Sequence, residues 1–239
     1  MWNENGKAQY LAGLRAGVPI CLGFVPIGIA YAIMAGQAGF SGAETVLMSA
    51  TVLAGASQMM AVGMHAQGAA LITIIVATFV LNLRHLIMST CVMNGMRSAP
   101  IGIKLLSAFG VTDETFAMFT TMRKGHSNAP FFLGLVTLAY GSWVGSAVIG
   151  VVTANLLPDI LSASLGIALY AMFVAILMPN LTKNLRLTLL VLLTAICNTL
   201  LSKVIDSSWS LIVSTVLCAG IGVFFVPLED EEGGAEDAE

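Results

Sequence analysis

A charged and polar stretch, Asn82-Leu83-Arg84-His85, interrupts one of the long apolar segments of this chain. The surrounding residues 68–95 contain no other ionisable side chain except Cys91. An apolar segment of this length predicts a membrane-spanning helix. An arginine at mid-depth costs about 2.5 to 3.5 kcal/mol on insertion scales, so it requires a partner or a water-filled cavity. Arg84 is therefore the first candidate functional residue, and its planar guanidinium suits a carboxylate.

A second polar interruption occurs in the apolar segment 101–122, at Gly110-Val111-Thr112-Asp113-Glu114. Thr112 or Asp113 could cap the helix that begins here, because a side-chain oxygen can accept from free backbone N–H groups. Thr115 is not the Glu or Gln of a capping box, so reciprocal capping is not predicted.

Asp113 and Glu114 have two interpretations. In the structural one, Asp113 or Glu114 forms an ion pair with Arg84 that holds the fold together. In the functional one, a carboxylate in a cavity binds an ammonium group or carries a proton, and both interpretations can be true. His85 titrates near physiological pH and suits proton coupling, although hydrogen-bonded structure is the simpler role.

The segment 42–63 is interrupted at Ala54-Gly55-Ala56-Ser57-Gln58. Free N–H groups of a half-helix starting there could receive a carboxylate, with Ser57 and Gln58 beside it. Alternatively, Gly55 and Ala56 only permit close helix packing. Glu44 lies just after Ser41-Gly42, where a helix N-terminus explains it without a functional role.

The composition is that of a membrane protein. Hydrophobic residues make up 57% of the 239 and charged residues 10%, against about 25% charged in soluble domains. Seven of the thirteen acids follow Leu228, which predicts a transmembrane domain at 1–228 and a disordered acidic tail at 229–239. The cysteines and histidines lack metal-ligand spacing, and no phosphate-binding loop is present. No metal, cofactor, enzyme activity or nucleic-acid binding is predicted.

The hydropathy pattern predicts an all-α polytopic membrane protein with about six full spans and two broken or re-entrant segments, eight helical segments in all. The glycines and prolines of the first span predict a kinked, closely packed helix. The predicted spans are residues 11–35, 68–95, 129–156, 158–179, 186–203 and 208–228, with broken segments at 42–63 and 101–122.

The distribution of Lys and Arg favours re-entrant segments with both termini in the cytoplasm, because Arg97 and Lys104 then lie inside. This arrangement also suggests an inverted repeat. Gly55-Ala56-Ser57-Gln58 would correspond to Gly110-Val111-Thr112-Asp113 at an offset of 55 residues. The two inverted hairpins would then meet tip to tip near the middle of the membrane.

The chain resembles the AzlC family, the large subunits of two-component branched-chain amino-acid exporters. The resemblance covers most of residues 8–226. It rests on Gly13-Leu14-Arg15-Ala16-Gly17-Val18-Pro19, Ala54-Gly55-Ala56-Ser57-Gln58, Asn82-Leu83-Arg84-His85-Leu86 and Thr112-Asp113-Glu114-Thr115-Phe116-Ala117. The chain departs from the family at Met59-Met60 and Ile87-Met88, where aromatic residues are frequent.

The resemblance implies export of valine, leucine, isoleucine and, as a further candidate, methionine across the bacterial inner membrane. It also implies a small AzlD-type membrane partner, with self-association left open. Because no ATP site is present, the first hypothesis is a secondary transporter driven by an ion gradient. In it, Arg84 with Ser57 and Gln58 holds a substrate carboxylate, while Asp113 or Glu114 holds the amine or the coupling proton. Asn82, His85 and Thr112 complete the candidate site.

Two alternatives remain open on the sequence. One is a passive channel for a small polar solute, because re-entrant half-helices also build channel filters. The other is a membrane subunit that is inactive without its small partner.

Overall fold

A computed structural model of the chain describes residues 4–96, 99–121, 128–154, 174, 178, 181–182, 184–205 and 207–225. The residues in these ranges form helices and no strand. The chain forms two compact units, residues 1–172 and 173–239. The predicted all-α polytopic architecture is confirmed, while the predicted acidic tail at 229–239 lies outside the described residues.

The first unit contains α1 to α8 and the second contains α9 and α10. Among the described helices, α2, α5 and α8 are long and apolar enough to cross a membrane, and α9 and most of α10 are shorter apolar helices. Most of the predicted span 158–179 lies outside the described residues. The bounds are α1 Glu4–Ala16, α2 Val18–Gln37, α3 Gly42–Thr51, α4 Gly55–Ala66, α5 Leu71–Gly95, α6 Ile101–Phe109, α7 Asp113–Thr121, α8 Ala129–Thr153, α9 Leu185–Leu201 and α10 Ser207–Phe225.

The predicted first span, 11–35, is two helices that meet at Gly17. Pro19 lies in the first turn of α2, where its missing N–H removes no helical hydrogen bond. The predicted span therefore contains a helix interruption at Gly17, and a kink there stays a prediction. The start of the span is corrected, because α1 begins at Glu4 and its backbone at Tyr10 packs against Gly134 of α8.

Helices α1 and α2 run parallel to α8 in close contact. Glycines let the backbones approach, as is common between membrane helices. Residues further along α1 and α2 contact residues further along α8, which shows that the helices run parallel. The contacts are Gly13 with Phe131, Gly17 with Leu138, Gly28 with Ser146, and Gly150 with Ile29. These three helices form the framework on which the hairpin helices α3, α4, α6 and α7 pack.

Residues 42–66, the first hairpin, turn back on themselves. The rings of Phe40, just before α3, and His65, at the end of α4, have centroids 4.9 Å apart. The 10 residues of α3 and 12 of α4 would separate those ends by roughly 33 Å if they ran straight on, at about 1.5 Å per residue. The segment therefore re-enters rather than crosses.

Residues 101–121, the second hairpin, behave in the same way. Gly95 at the end of α5 lies against the Phe119 ring of α7, such that an added Cβ would be 3.0 Å from Phe119 Cε1. Phe119 also packs edge-on against Phe132, with centroids 5.0 Å apart. The end of α7 has thus returned to the level at which α6 began.

The two hairpins enter from opposite ends of α8. The base of the first contacts the far end of α8 through Gly42 and Val151, and the base of the second contacts the near end through Phe132. Their tips, residues 52–54 and 110–112, approach the middle of α8 between Val136 and Trp143. The structure therefore contains two inverted hairpins whose tips reach the middle of α8, and a direct contact between the tips stays a prediction.

The predicted positions of the first break and of the repeat register are corrected. The first helix break is Val52-Leu53-Ala54, and Gly55 already begins α4. Gly55 therefore corresponds to Asp113, the first residue of α7, at an offset of 58 rather than 55. The reason is that the two glycines occupy different positions: Gly55 follows the break in the first hairpin, whereas Gly110 is the first residue of the break in the second.

Equivalent hydroxyl groups support this corrected register. Ser57 Oγ donates to the carbonyl of Ala54 at 2.9 Å, and Thr115 Oγ1 donates to the carbonyl of Thr112 at 3.2 Å. Both pairs are related by the offset of 58. In each hairpin, a hydroxyl in the first turn of the outgoing helix fixes the carbonyl of the tip.

The second unit contains the antiparallel pair α9 and α10. The Ser210 hydroxyl lies 2.8 Å from the backbone carbonyl of Asn198 and 2.9 Å from its Oδ1. Gly222 accommodates the side chain of Leu190. These helices correspond to the predicted spans 186–203 and 208–228.

Candidate functional site at the two hairpin tips

Arg84 and Asp113 form a salt bridge where the second hairpin reaches α5. Arg84 Nη1 and Asp113 Oδ2 are 2.6 Å apart, and the two side chains are 34% and 26% exposed. Asp113 is the first residue of α7, at the positive end of the helix dipole. The ion pair expected from the sequence is therefore present, and it retains access to its surroundings.

Asn82 connects the same stretch of α5 to the first hairpin. Its Nδ2 donates to Ser57 Oγ at 3.1 Å. Asn82 and Arg84 are two residues apart and so point about 200° apart around the helix. One turn of α5 therefore contacts both hairpin tips, on two sides.

Polar atoms at this level of α5 and α6 are buried without a hydrogen-bond partner in the described part of the chain: Asn82 Oδ1, Arg84 Nε and Ser107 Oγ. Most buried polar groups in proteins have such a partner. The arrangement therefore leaves an acceptor on Asn82 and a donor on Arg84 unpaired among the described residues.

The side chains of Ser57 and Gln58 are only 3% and 2% exposed and are occupied by other contacts. Gln58 Oε1 accepts from Trp143 Nε1 at 3.0 Å, and its Nε2 lies 3.5 Å from Ser49 Oγ. These two residues were predicted as ligands, but the structure places their side chains in the packing that fixes the first tip.

The backbone N–H groups at the start of α4 lack a capping side chain. Ala54 caps α4 without a side-chain hydrogen bond, and the first turn has no acidic residue. The corresponding turn of α7 carries Asp113 and Glu114. The positive end of α4 is thus not balanced by its own side chains, whereas that of α7 is.

Thr112 caps α7, which was one of the two predicted alternatives, but the capping is reciprocal, which corrects the sequence analysis. Its backbone N–H donates to Thr115 Oγ1 at 2.8 Å, and the Thr115 N–H donates to Thr112 Oγ1 at 3.3 Å. This is the reciprocal pattern of a capping box, with a threonine hydroxyl in place of the usual Glu or Gln. Thr112 and Thr115 are both buried and hold the turn that presents Asp113.

Glu114 and His85 lie beside the ion pair. Both are half-buried, and each follows a member of the pair in sequence. Glu44, by contrast, forms a capping box with Ser41, whose N–H donates to Glu44 Oε2 at 2.8 Å. The structural interpretation of Glu44 is the one that its contacts support.

Two aromatic residues of α8 at the tips were not singled out from the sequence. Trp143 Cη2 would lie 2.6 Å from a Cβ on Gly55. The Tyr140 hydroxyl donates to the carbonyl of Ala50 at 2.8 Å, and its ring packs on Phe109 with centroids 5.9 Å apart. A Tyr and a Trp in an otherwise apolar helix are the available signal, because their polar groups need partners when buried.

We expect Trp143→Phe to weaken the first tip without removing charge. It deletes the donor to Gln58 and leaves a buried amide oxygen unpaired, a cost of about 1 to 3 kcal/mol. The expected result is a lower midpoint of thermal unfolding in detergent and slower transport. Trp209→Phe, a matched change at an exposed tryptophan of α10, should alter neither property.

No group of three or more His, Cys, Asp or Glu side chains with metal-binding geometry occurs in the described ranges. The candidate site is instead an Arg–Asp pair with a neighbouring Glu and His, set between two half-helix hairpins. Such interrupted helices at mid-depth occur where transporters bind their solutes.

The spanning helices and re-entrant hairpins define a polytopic α-helical membrane protein. Residues 19–157, which include both hairpins and the Arg84–Asp113 pair, match the family described as AzlC protein. The chain belongs to this family, as its motifs indicated.

Curated relatives agree with this assignment. An uncharacterised membrane protein of Archaeoglobus fulgidus is 33% identical over 184 residues, covering 76% of this chain and 80% of the relative. Inner membrane protein YgaZ of Escherichia coli is 29% identical over 184 residues, covering 73% and 74%. Branched-chain amino acid transport protein AzlC of Bacillus subtilis is 29% identical over 152 residues, covering 61% and 59%. No solved structure matches the chain.

Proposed function

We propose that this protein is a secondary transporter that exports branched-chain amino acids across the bacterial inner membrane. The observation that carries the proposal is the partly exposed Arg84–Asp113 pair on the turn of α5 that contacts both inverted hairpins. An amino acid carries one carboxylate and one ammonium group. A separable cation and anion at one site are the complementary pair for such a zwitterion.

The substrate carboxylate would bind the guanidinium of Arg84. The Nε of Arg84 is a buried donor with no partner among the described residues. The unbalanced positive end of α4, which Asn82 contacts on the other side of α5, also favours an anion, since helix N-termini bind anions. The Asn82–Ser57 hydrogen bond holds the first turn of α4 beside α5 at this depth.

The ammonium group would bind the carboxylates at the start of α7. Asp113 becomes available when the substrate carboxylate replaces it at Arg84, and Glu114 is the adjacent residue. One of these acids would also carry a coupling proton. Apolar side chains surround the tips, including Leu53, Phe109 and Val136, which suits a branched aliphatic substrate such as leucine, valine or isoleucine, or methionine.

The orientation follows from the basic residues of the first unit. Lys7, Arg15 and Lys104 lie on α1 and α6, at the end where α8 begins. Because cytoplasmic loops are enriched in Lys and Arg, this end and the N-terminus would be cytoplasmic, and the first hairpin would enter from outside. A cytoplasmic C-terminus remains a prediction.

A small AzlD-type membrane protein would be the partner, as the resemblance to two-component exporters implies, and family membership supports this. The B. subtilis relative is named a branched-chain amino acid transport protein, which supports the proposed substrate class. The E. coli relative is named an inner membrane protein, in agreement with the proposed location.

Counterflow in proteoliposomes tests this function. The chain would be reconstituted with and without a small AzlD-type protein from the same organism, and the vesicles preloaded with unlabelled leucine. We expect saturable entry of labelled leucine that internal leucine accelerates. Linear, unstimulated entry would instead indicate a channel, and entry only with the small protein would identify this chain as a subunit that depends on it.

A further inference from the structure

We propose that Glu114 carries the coupling proton, whereas Asp113 remains ionised as the partner of Arg84 and then of the substrate ammonium group. This inference rests on the proposed function and assigns the two acids, which the sequence alone left equivalent. It follows from their different contacts in the structure.

Asp113 forms an ion pair with Arg84. Its Oδ2 is 2.6 Å from Arg84 Nη1. Protonating Asp113 would leave the guanidinium of Arg84 without its counter-charge within a membrane helix, where an unpaired arginine is costly. The pair therefore opposes protonation of Asp113 unless another anion is bound to Arg84.

Glu114 forms no salt bridge within the described part of the chain. It is half-buried and directly follows Asp113. An ionised Glu114 would be a second negative charge beside Asp113, and Arg84 is the one cation that a described salt bridge brings to these acids. A proton on Glu114 removes the unmatched charge and leaves the Arg84–Asp113 pair intact, so Glu114 is where protonation is least opposed.

Few other charged or titratable groups lie on the elements around α7. Helix α8 contributes only the hydroxyl of Tyr140, and α7 itself contributes Asp113. The remaining groups are Arg84, His85 and Cys91 on α5 and Lys104 on α6. Of these, His85 is the rival proton carrier, because it lies beside Arg84 and histidine is the side chain whose ordinary pKa is nearest to neutral pH.

The consequence is competition between proton and substrate. An ionised Glu114 strengthens binding of an ammonium group at neighbouring Asp113, and protonation of Glu114 weakens it. By linkage, bound substrate must disfavour the proton to the same degree. The only bond that forms and breaks is the O–H bond on a carboxylate oxygen of Glu114. Opposed binding of this kind is what a proton-driven exporter requires.

The first test is the pH dependence of leucine binding to the purified protein with its small partner, measured by calorimetry. We expect wild-type affinity to fall about 5- to 150-fold on acidification, the usual range for coupled sites. Glu114→Gln should bind leucine weakly and with little pH dependence, whereas Glu114→Asp should restore the dependence. Glu44→Gln is the matched control and should behave as wild type.

The second test separates coupling from transport. In vesicles, Glu114→Gln should show leucine counterflow with a raised half-saturation concentration, and at saturating leucine it should fail to accumulate leucine under an imposed proton gradient. Gradient-driven accumulation by Glu114→Gln would overturn the assignment, as would pH dependence that survives in Glu114→Gln and disappears in His85→Asn. If the wild-type complex itself showed no counterflow, the proposed function would fail, and this inference with it.

Discussion

Arg84→Ala is expected to lower leucine transport by about 30-fold, because the lost charge-assisted contact with the substrate carboxylate is worth roughly 2 kcal/mol. The substitution removes the proposed carboxylate ligand and leaves Asp113 without its cation. Initial rates of counterflow in proteoliposomes measure the effect. Arg15→Ala, at an exposed arginine of α1, is the matched control and should transport as wild type does.

A double variant separates folding from binding in this prediction. Adding Asp113→Ala to Arg84→Ala removes the unpaired carboxylate, so part of any lost thermal stability should return. Transport should stay lost, because neither group of the zwitterion then has its ligand. Recovery of transport in the double variant would show that the ion pair only holds the fold.

Gly134→Ala is expected to destabilise the fold by about 1 to 3 kcal/mol, the usual cost of forcing volume into a packed interface. A Cβ at Gly134 would collide with the backbone carbonyl of Tyr10, which cannot swing aside as a side chain can. The control is Gly141→Ala in the same helix, where a Cβ would meet nothing within 4 Å. That change should be neutral or stabilising by up to about 1 kcal/mol.

Thermal unfolding of both variants in detergent, followed by loss of monodisperse protein, measures this difference. A fall in midpoint for Gly134→Ala alone is the expected outcome. Equal midpoints for the two variants would contradict the close parallel packing of α1 on α8.

Much of the architecture was accessible from the sequence because charge and glycine are scarce in this chain. Arg84 stands out in an apolar segment, and its need for a partner pointed to Asp113, which the structure confirms. The basic residues favoured re-entrant hairpins over spans, and the contacts of Phe40 with His65 and of Phe119 with Gly95 agree.

Some of what the sequence did not predict depends on contacts between residues that are distant in the chain. Nothing near Gln58 in the chain reveals that Trp143, 85 residues away, takes its amide oxygen. The helix break at 52–54 contains no glycine or proline. The prediction therefore relied on Gly55 and placed the break too late in the sequence. Thr115 acts as a capping residue through a local contact, in which its hydroxyl accepts from the N–H of Thr112, and a motif restricted to Glu or Gln does not include this role.

The measurement that tests the central claim most directly is uptake of labelled leucine, valine, isoleucine and methionine into inside-out vesicles under an imposed proton gradient. Wild-type protein with its small partner would be compared with Asp113→Asn. We predict saturable, gradient-driven accumulation by the wild type that Asp113→Asn loses while still folding. Full accumulation by the Asp113→Asn variant, or none by the folded wild-type complex, would contradict a substrate site at Arg84 and Asp113.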